Sequence, residues 1–385
     1  MKEIYFDHNA TTPLRPEALT EMHPYLTGRF GNPSSVHWAG RAVSGAIERA
    51  REKVASLMNA SPSEIVFTSC GSEADNFAIK GSASALMAKG RHVITTAVEH
   101  PAVLESCHLL QQKGWRISYL SVDNEGHIDL DELESMICEE TVLISAMWAN
   151  NETGTIFPVA EIGDISRKHG ILFHSDMIQA VGRIALDVEA SNLDFAAISA
   201  HKFGGPKGVG ALYVRSGTVL EPLIHGGHQE RNRRGGTSHV AGIVGLGTAA
   251  EFAELELKQT TQHVKGLRDR LEDGLFASIE NLKLNGPVSR EERLPNTLNI
   301  AFAGVSGESL LLNLDLKGVA ASSGSACSSG TLESSHVIAA MGVDPELAQS
   351  SVRFSLGREN TAEEVEYVLK VLPAIVERLR GISPL

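Results

Sequence analysis

Four short tracts place a reactive or charge-bearing side chain next to residues that turn the chain. Ser199-Ala-His-Lys202 runs into Phe203-Gly-Gly-Pro-Lys-Gly-Val-Gly, so a lysine falls where a strand gives way to a glycine- and proline-rich loop. A buried lysine loses proton affinity and becomes a nucleophilic amine able to form a Schiff base. The plainer alternative is a surface lysine beside a turn. Thr68-Ser-Cys-Gly-Ser-Glu-Ala-Asp-Asn76 places small polar residues where a helix is expected to begin, at about Ser72. Backbone N–H groups at such a start, with a hydroxyl beside them, suit a phosphate, although a serine-capped helix is common without any ligand. Phe173-His-Ser-Asp-Met-Ile-Gln179 ends an apolar strand in an acid, which is costly unless a cation or a hydrogen-bond donor meets it. A protonated pyridine nitrogen is one such partner, and the next turn's amides are another. Val98-Glu-His100-Pro puts a histidine at a proline-initiated helix start, where it can stack on a planar ring, move a proton or simply cap the helix.

The cysteines, at 70, 107, 138 and 327, form no CxxC pair, which argues against a disulfide scaffold or a zinc site. Cys107 and Cys138 read as small buried hydrophobes and Cys70 as a packing residue. Cys327 does not fit that reading. It sits in Ser-Ser-Gly-Ser-Ala-Cys-Ser-Ser-Gly (322–330), a segment with little apolar surface to bury and therefore expected to move on fast timescales. A thiol on such an arm reacts according to its thiolate fraction.

The elements that must position these groups alternate. Strands are expected at Glu64–Thr68, His92–Thr96, Arg116–Leu120, Thr141–Met147, Ile171–Ser175, Asp194–Ser199 and Val209–Val214. Helices are expected at Ser72–Lys89, Pro101–Lys113, Leu130–Met136 and Pro158–His169. That order predicts an α/β fold, a mostly parallel sheet covered by helices, with ligands at the carboxyl ends of its strands. All four tracts fall at those ends. The glycine-rich loop after Lys202 leads into a strand rather than a helix, so a dinucleotide fingerprint is excluded by its context. Beyond about residue 255, long amphipathic helices at 258–279 and 361–380 flank strands at Thr297–Phe302, Gly318–Ala321 and Val352–Ser355, which predicts a smaller α+β domain. The division expected is 14–256 for the large domain, with 1–13 and 257–385 forming the small one. The first dozen residues are expected to pack away from the large sheet.

The bulk properties suit a globular enzyme of 385 residues, 42% hydrophobic and 21% charged. A net charge of -13 speaks against nucleic acid and anionic membranes as partners. The amino-terminal residues carry no signal-peptide pattern, and no apolar run reaches membrane-spanning length, so the expectation is a cytoplasmic protein with no structural metal.

A lysine, an acid, a stackable histidine and a phosphate cradle on one sheet edge are the parts that a pyridoxal 5'-phosphate site requires. The chain resembles the cysteine desulfurases of the NifS and IscS type, of the class V aminotransferase family, within the fold type I pyridoxal-phosphate enzymes. The resemblance rests on DHNATTP near the start, FGNPSSVH (30–37), FTSCGSEADN (67–76), EHPAV (99–103) and MWANNETGT (147–155). It continues through HSDMIQAVG (174–182), SAHKFGGPKGVGALYV (199–214), GGHQERNRRGGT (226–237), LPNTLNIAF (294–302), SSGSACSSG (322–330) and SVRFSLGR (351–358).

What the resemblance implies is specific. Lys202 holds the cofactor covalently, Asp176 pairs with the pyridine nitrogen and His100 stacks on the ring. Asn151 and Gln179 hydrogen-bond near the phenolic oxygen or the substrate carboxylate. Gly71, Ser72, Ser199 and His201 hold the phosphate, and Thr237 reaches the phosphate site of a neighbouring subunit, which implies a homodimer. Arg353 takes the carboxylate of L-cysteine through its planar fork. Cys327 accepts the sulfur as a persulfide, alanine leaves, and the sulfur passes to an acceptor such as an iron–sulfur scaffold. Ser72 stands where many relatives have threonine, which keeps the hydroxyl. An aminotransferase on the same scaffold would depend on a keto acid and have no need of Cys327, and a selenocysteine lyase would discriminate strongly against cysteine. An inactive scaffold subunit would not need the Lys202, Asp176 and His100 set.

Overall fold

The computed structural model describes residues 3–323 and 335–382. In chain order its strands are β1 (Ile4–Tyr5), β2 (Ile65–Thr68), β3 (His92–Thr96), β4 (Arg116–Leu120), β5 (Thr141–Ser145), β6 (Leu172–Asp176), β7 (Phe195–Ser199), β8 (Gly210–Val214), β9 (Leu282–Leu284), β10 (Thr297–Phe302), β11 (Val319–Ala320) and β12 (Ser351–Ser355). Seven of them form one sheet in the order β2-β8-β7-β6-β5-β3-β4. Only β8 runs against its neighbours, so the other six point their carboxyl ends the same way.

The central strands are apolar on both faces: every residue of β5 (TVLIS) and β7 (FAAIS) is buried. Such strands need helices on either side. On one face lie α3 (Gly71–Leu86) and α4 (Pro101–Gln112), whose Phe77, Val103 and Cys107 pack with Val66, Phe195 and Leu212. The other face carries α2 (Trp38–Leu57), α6 (Val159–His169) and the helix Val240–Leu255, through Val54, Ile162 and Leu246 against Ile144 and Phe173. α1 (Pro16–Leu26) and α5 (Leu130–Met136) complete this layer. The helix Val240–Leu255 was not legible by periodicity, because it is apolar nearly all round and its residues 241–250 are all buried. It crosses α2 closely, since a Cβ at Gly247 would lie 2.6 Å from the Cα of Ala50.

A separate core joins both ends of the chain. Ile4 and Phe6 pack with Leu271, Leu298, Phe354, Val368 and Leu372. β1 pairs in parallel with β11, and β9, β10 and β12 form an antiparallel sheet beneath the helices Leu257–Ser278 and Ala362–Ile382. The amino-terminal arm therefore does not join the large sheet. Expected strand and helix limits fall within a few residues of the observed ones. β5 ends at Ser145 rather than Met147, although Ala146 and Trp148 still donate to the carbonyls of His174 and Asp176, and β11 is shorter than expected at both ends. Among the described residues no helix is long and apolar enough to cross a membrane.

Candidate active site

Three groups converge just beyond the carboxyl ends of β3, β6 and β7. Lys202 closes a short 3-10 turn after β7, is half-buried, and donates from Nζ to the carbonyls of Asn9 (2.6 Å) and Ala10 (3.0 Å). Asp176, the last residue of β6, is buried and accepts the Ile178 N–H at Oδ1 (2.9 Å). His100 caps α4, its Nδ1 accepting from the Ala102 N–H at 3.1 Å. Burial pushes the Asp176 carboxyl up to about 6, restrained by the Ile178 amide and the Lys202 ammonium. Burial lowers His100 to about 4, with Lys202 and His336 adding to the shift. His201 is lowered to about 4 by burial first, then by Lys202 and Lys207. One ammonium thus acts on all three groups, which places them near one another at this sheet edge.

The helix start at α3 lies beside them. Its first N–H groups have no intrahelical acceptor. Gly71 fits closely there: a Cβ would lie 2.2 Å from Ile178 Cδ1 and 3.3 Å from Ser199 Cβ. Its absence lets α3 begin directly against the ends of β6 and β7. Ser72 is exposed and Ser199 buried, while His201 Nδ1 lies 3.1 Å from Thr11 Oγ1. The helix begins one residue earlier than expected, and its cap is Cys70, whose Sγ accepts the Glu73 N–H at 3.4 Å. Cys70 is therefore a capping rather than a packing residue. Thr237 is exposed; with Thr68, Ser69 and Arg234 it lines an open pocket whose lining does not include Lys202.

Gln179, Asn151 and Arg353 meet on the amino-terminal arm. The Asn9 carbonyl that receives Lys202 also accepts from Gln179 Nε2 at 3.1 Å. The Asn9 side chain donates to the Asn151 carbonyl (3.0 Å) and Thr297 Oγ1 (2.9 Å). Arg353, buried on β12, donates to the Asn151 carbonyl (2.9 Å) and pairs with Asp7 (2.7 Å). Sequence reasoning assigned no role to Asp7 or Asn9 although it noted their tract, and it passed over Arg183, which is buried against Gln179. It also missed Glu99, buried with Oε1 accepting from Thr96 Oγ1 and the Met147 N–H, each at 2.8 Å. An acid beside His100 at a strand end was the available signal.

The remaining cysteines divide. Cys107 is buried, and burial pushes its thiol up to about 12. Cys138 is not a buried hydrophobe: it is half-buried, and its Sγ accepts from Arg116 Nη2 at 2.6 Å, because it lies at the sheet edge where β4 begins. Cys327 lies outside the described residues.

A mostly parallel sheet with a lysine-bearing crevice at its carboxyl edge, and a smaller sheet built from both chain ends, is the fold type I arrangement of pyridoxal-phosphate-dependent transferases. The sequence profile of the aminotransferase class-V family matches residues 4–368, and the chain belongs to that family. It is 52% identical to the cysteine desulfurase IscS of Dictyoglomus turgidum, over 100% of this chain and 97% of that protein. A solved NifS-like protein superposes with a TM-score of 0.92 at 42% identity, covering 98% of this chain and 100% of the other. SspA in complex with cysteine superposes with a TM-score of 0.81 at 35% identity, covering 94% and 100%.

Proposed function

We propose that this chain is a pyridoxal-phosphate-dependent cysteine desulfurase that takes the sulfur of free L-cysteine, releases L-alanine and leaves a persulfide on Cys327. The observation that carries the reading is the convergence of Lys202, Asp176 and His100 on one crevice in a chain 52% identical to a cysteine desulfurase.

The residues fit the cofactor. Gly71 leaves the start of α3 open beside Ser199, so the helix N–H groups, Ser72, Ser199 and His201 would hold a phosphate. Asp176, a buried acid whose ionisation is costly without a cation, would pair with a protonated ring nitrogen. Lys202 would hold the aldehyde carbon, and His100 would lie on the ring. When bound, pyridoxal phosphate supplies an electron-withdrawing ring that weakens bonds at the substrate α-carbon.

The chain's own groups then divide the work. The Arg353 fork would take the substrate carboxylate, with Asn151 and Gln179 beside it. The Lys202 amine would remove the α-proton. His100 is neutral near pH 7, and with Nδ1 engaged by an amide its proton sits on Nε2, the atom able to deliver it. The Cys327 thiolate would attack the substrate sulfur; the S–S bond forms, the C–S bond breaks, and its electron pair stays on the carbon skeleton, which is protonated to alanine. Residues 14–256 would form the cofactor domain, with 1–13 and 257–385 the domain that brings the acceptor segment. Thr237 would complete the phosphate site of a partner subunit in a homodimer. The acidic surface suits a cytoplasmic protein that hands sulfur to an acceptor such as an iron–sulfur scaffold, not to nucleic acid or membrane.

Mass spectrometry after incubation with L-cysteine tests the reading. One extra sulfur is expected on the Cys327 peptide, with alanine released. Cys327→Ala should keep the bound cofactor and lose sulfide production, and Lys202→Ala should lose both covalent cofactor and turnover. Normal sulfide release by the Cys327 variant would remove the persulfide step.

A further inference from the structure

Gln179 is held at both ends of its amide. Its Oε1 accepts from Arg183 Nη1, and its Nε2 donates to the Asn9 carbonyl at 3.1 Å. A guanidinium can only donate and a backbone carbonyl can only accept, so the amide has one orientation that satisfies both. Arg183 is itself fixed: Nη1 donates to the Gln179 carbonyl (2.7 Å), Nη2 to the His8 carbonyl (3.3 Å), and its own carbonyl accepts from Thr261 Oγ1 (2.8 Å). Both side chains are more than nine-tenths buried, so a flipped amide would have no water to repair the lost bonds. Burial and the neighbouring Arg353 lower Arg183 to about 9, which leaves it cationic at neutral pH.

We propose that Arg183 is a positioning residue that sets the direction of the Gln179 amide, so that Gln179 offers N–H and never C=O to the crevice. Asn9 completes the clamp, and the same carbonyl receives Lys202. The consequence rests on the cofactor reading above: an anionic oxygen on the ligand is met by a donor, and its protonation is suppressed. The other groups facing this point are common to all variants compared below. They are Lys202 after β7, Asp176 on β6, His100 and His336 at helix starts, Arg353 on β12, His8 on the amino-terminal arm, and Arg15, Glu256, Arg358 and Glu359, which line the same pocket as Arg183.

The experiment is a double-mutant cycle. The visible absorption of cofactor-loaded protein is titrated with pH for wild type, Arg183→Met, Gln179→Leu and the double variant. Arg183→Met should raise the midpoint by roughly one pH unit, and Arg183→Lys, which still only donates, should restore it. In the Gln179→Leu background the Arg183 replacement should add nothing. An unmoved midpoint in Arg183→Met, or an equal shift in both backgrounds, overturns the proposal, the second because the charge would then act directly. In cofactor-free wild type, the Gln179 side-chain N–H signals should be resolved and slow to exchange with solvent, and Arg183→Met should abolish that protection. A wild type that takes up no chromophore would sink the functional reading, and these amide signals would then decide the clamp alone.

Discussion

Glu99 and Asp176 are carboxyls whose burial can be read in cofactor-free protein. Burial holds Glu99 at about 8 and Asp176 at about 6. An acid that binds its proton more tightly when folded adds stability at low pH and loses it as pH rises through the folded value. The histidines act in the opposite sense. His8, His92, His100 and His201 are lowered to about 4 by burial, so their contribution is complete above about 6.5 and disappears as pH falls through the folded value. The alkaline limb of the stability profile is therefore shared by the buried carboxyls, Glu99 with Asp75, Asp176 and Glu152, all raised by burial first. Glu99→Gln should unfold several degrees higher than wild type at pH 9 and nearly with it at pH 5, at about 2–4 °C per kcal/mol. Scanning calorimetry at both pH values checks this, and an equal offset at both would show that ionisation is not the cause.

At the scale of elements, the start of α3 is set by a methylene that is not there. Gly71→Ala would drive a Cβ to 2.2 Å from Ile178 Cδ1, so the Ile178 side chain or the helix start beside Ser199 must shift. Cofactor affinity should fall about tenfold or more, since ligand placement tolerates little displacement. Ile178→Val removes Cδ1, so the double variant should recover part of the loss although Ile178→Val alone only weakens packing. Spectroscopic titration with pyridoxal phosphate measures both, and purely additive losses would place the clash elsewhere. The strand ends that meet this helix were legible because apolar runs stop at polar residues, as at Thr68 and Asp176. The turn at Glu230, Arg231 and Asn232 was not. All three adopt left-handed backbone angles, and the turn is held by a buried ion pair at 2.7 Å between Glu230 and Arg51, far apart in sequence.

For the whole molecule, the two chain ends share one core. Phe6 is fully buried among residues that come mostly from beyond position 260, so Phe6→Ala should cost about 3–5 kcal/mol in urea unfolding. A loss under about 1 kcal/mol would mean that the site can collapse around the cavity or that the arm is not fixed there. Lys202, Asp176, His100 and Gly71 could be singled out in the sequence because each stands at a strand end with a distinctive neighbour. Asn9, Arg183 and Asp7 could not, because their roles arise from contacts across many residues: Asn9 offers Lys202 a backbone carbonyl, which no side-chain pattern announces. Helices α1 and α2 and the helix Val240–Leu255 escaped notice for a different reason, lacking the strand–helix alternation that framed the rest.

The Asn9 carbonyl has a practical consequence for anyone producing this protein. Any peptide fused ahead of residue 1 is joined, within nine residues, to an atom that hydrogen-bonds the key amine. An affinity tag there would pull on Asn9 through β1, whereas Ile382, the last described residue at the other end, is exposed and makes no contact with Lys202. Cofactor content that differs between amino- and carboxyl-tagged preparations should be read first as mechanical disturbance of the arm, before being blamed on incomplete loading during expression.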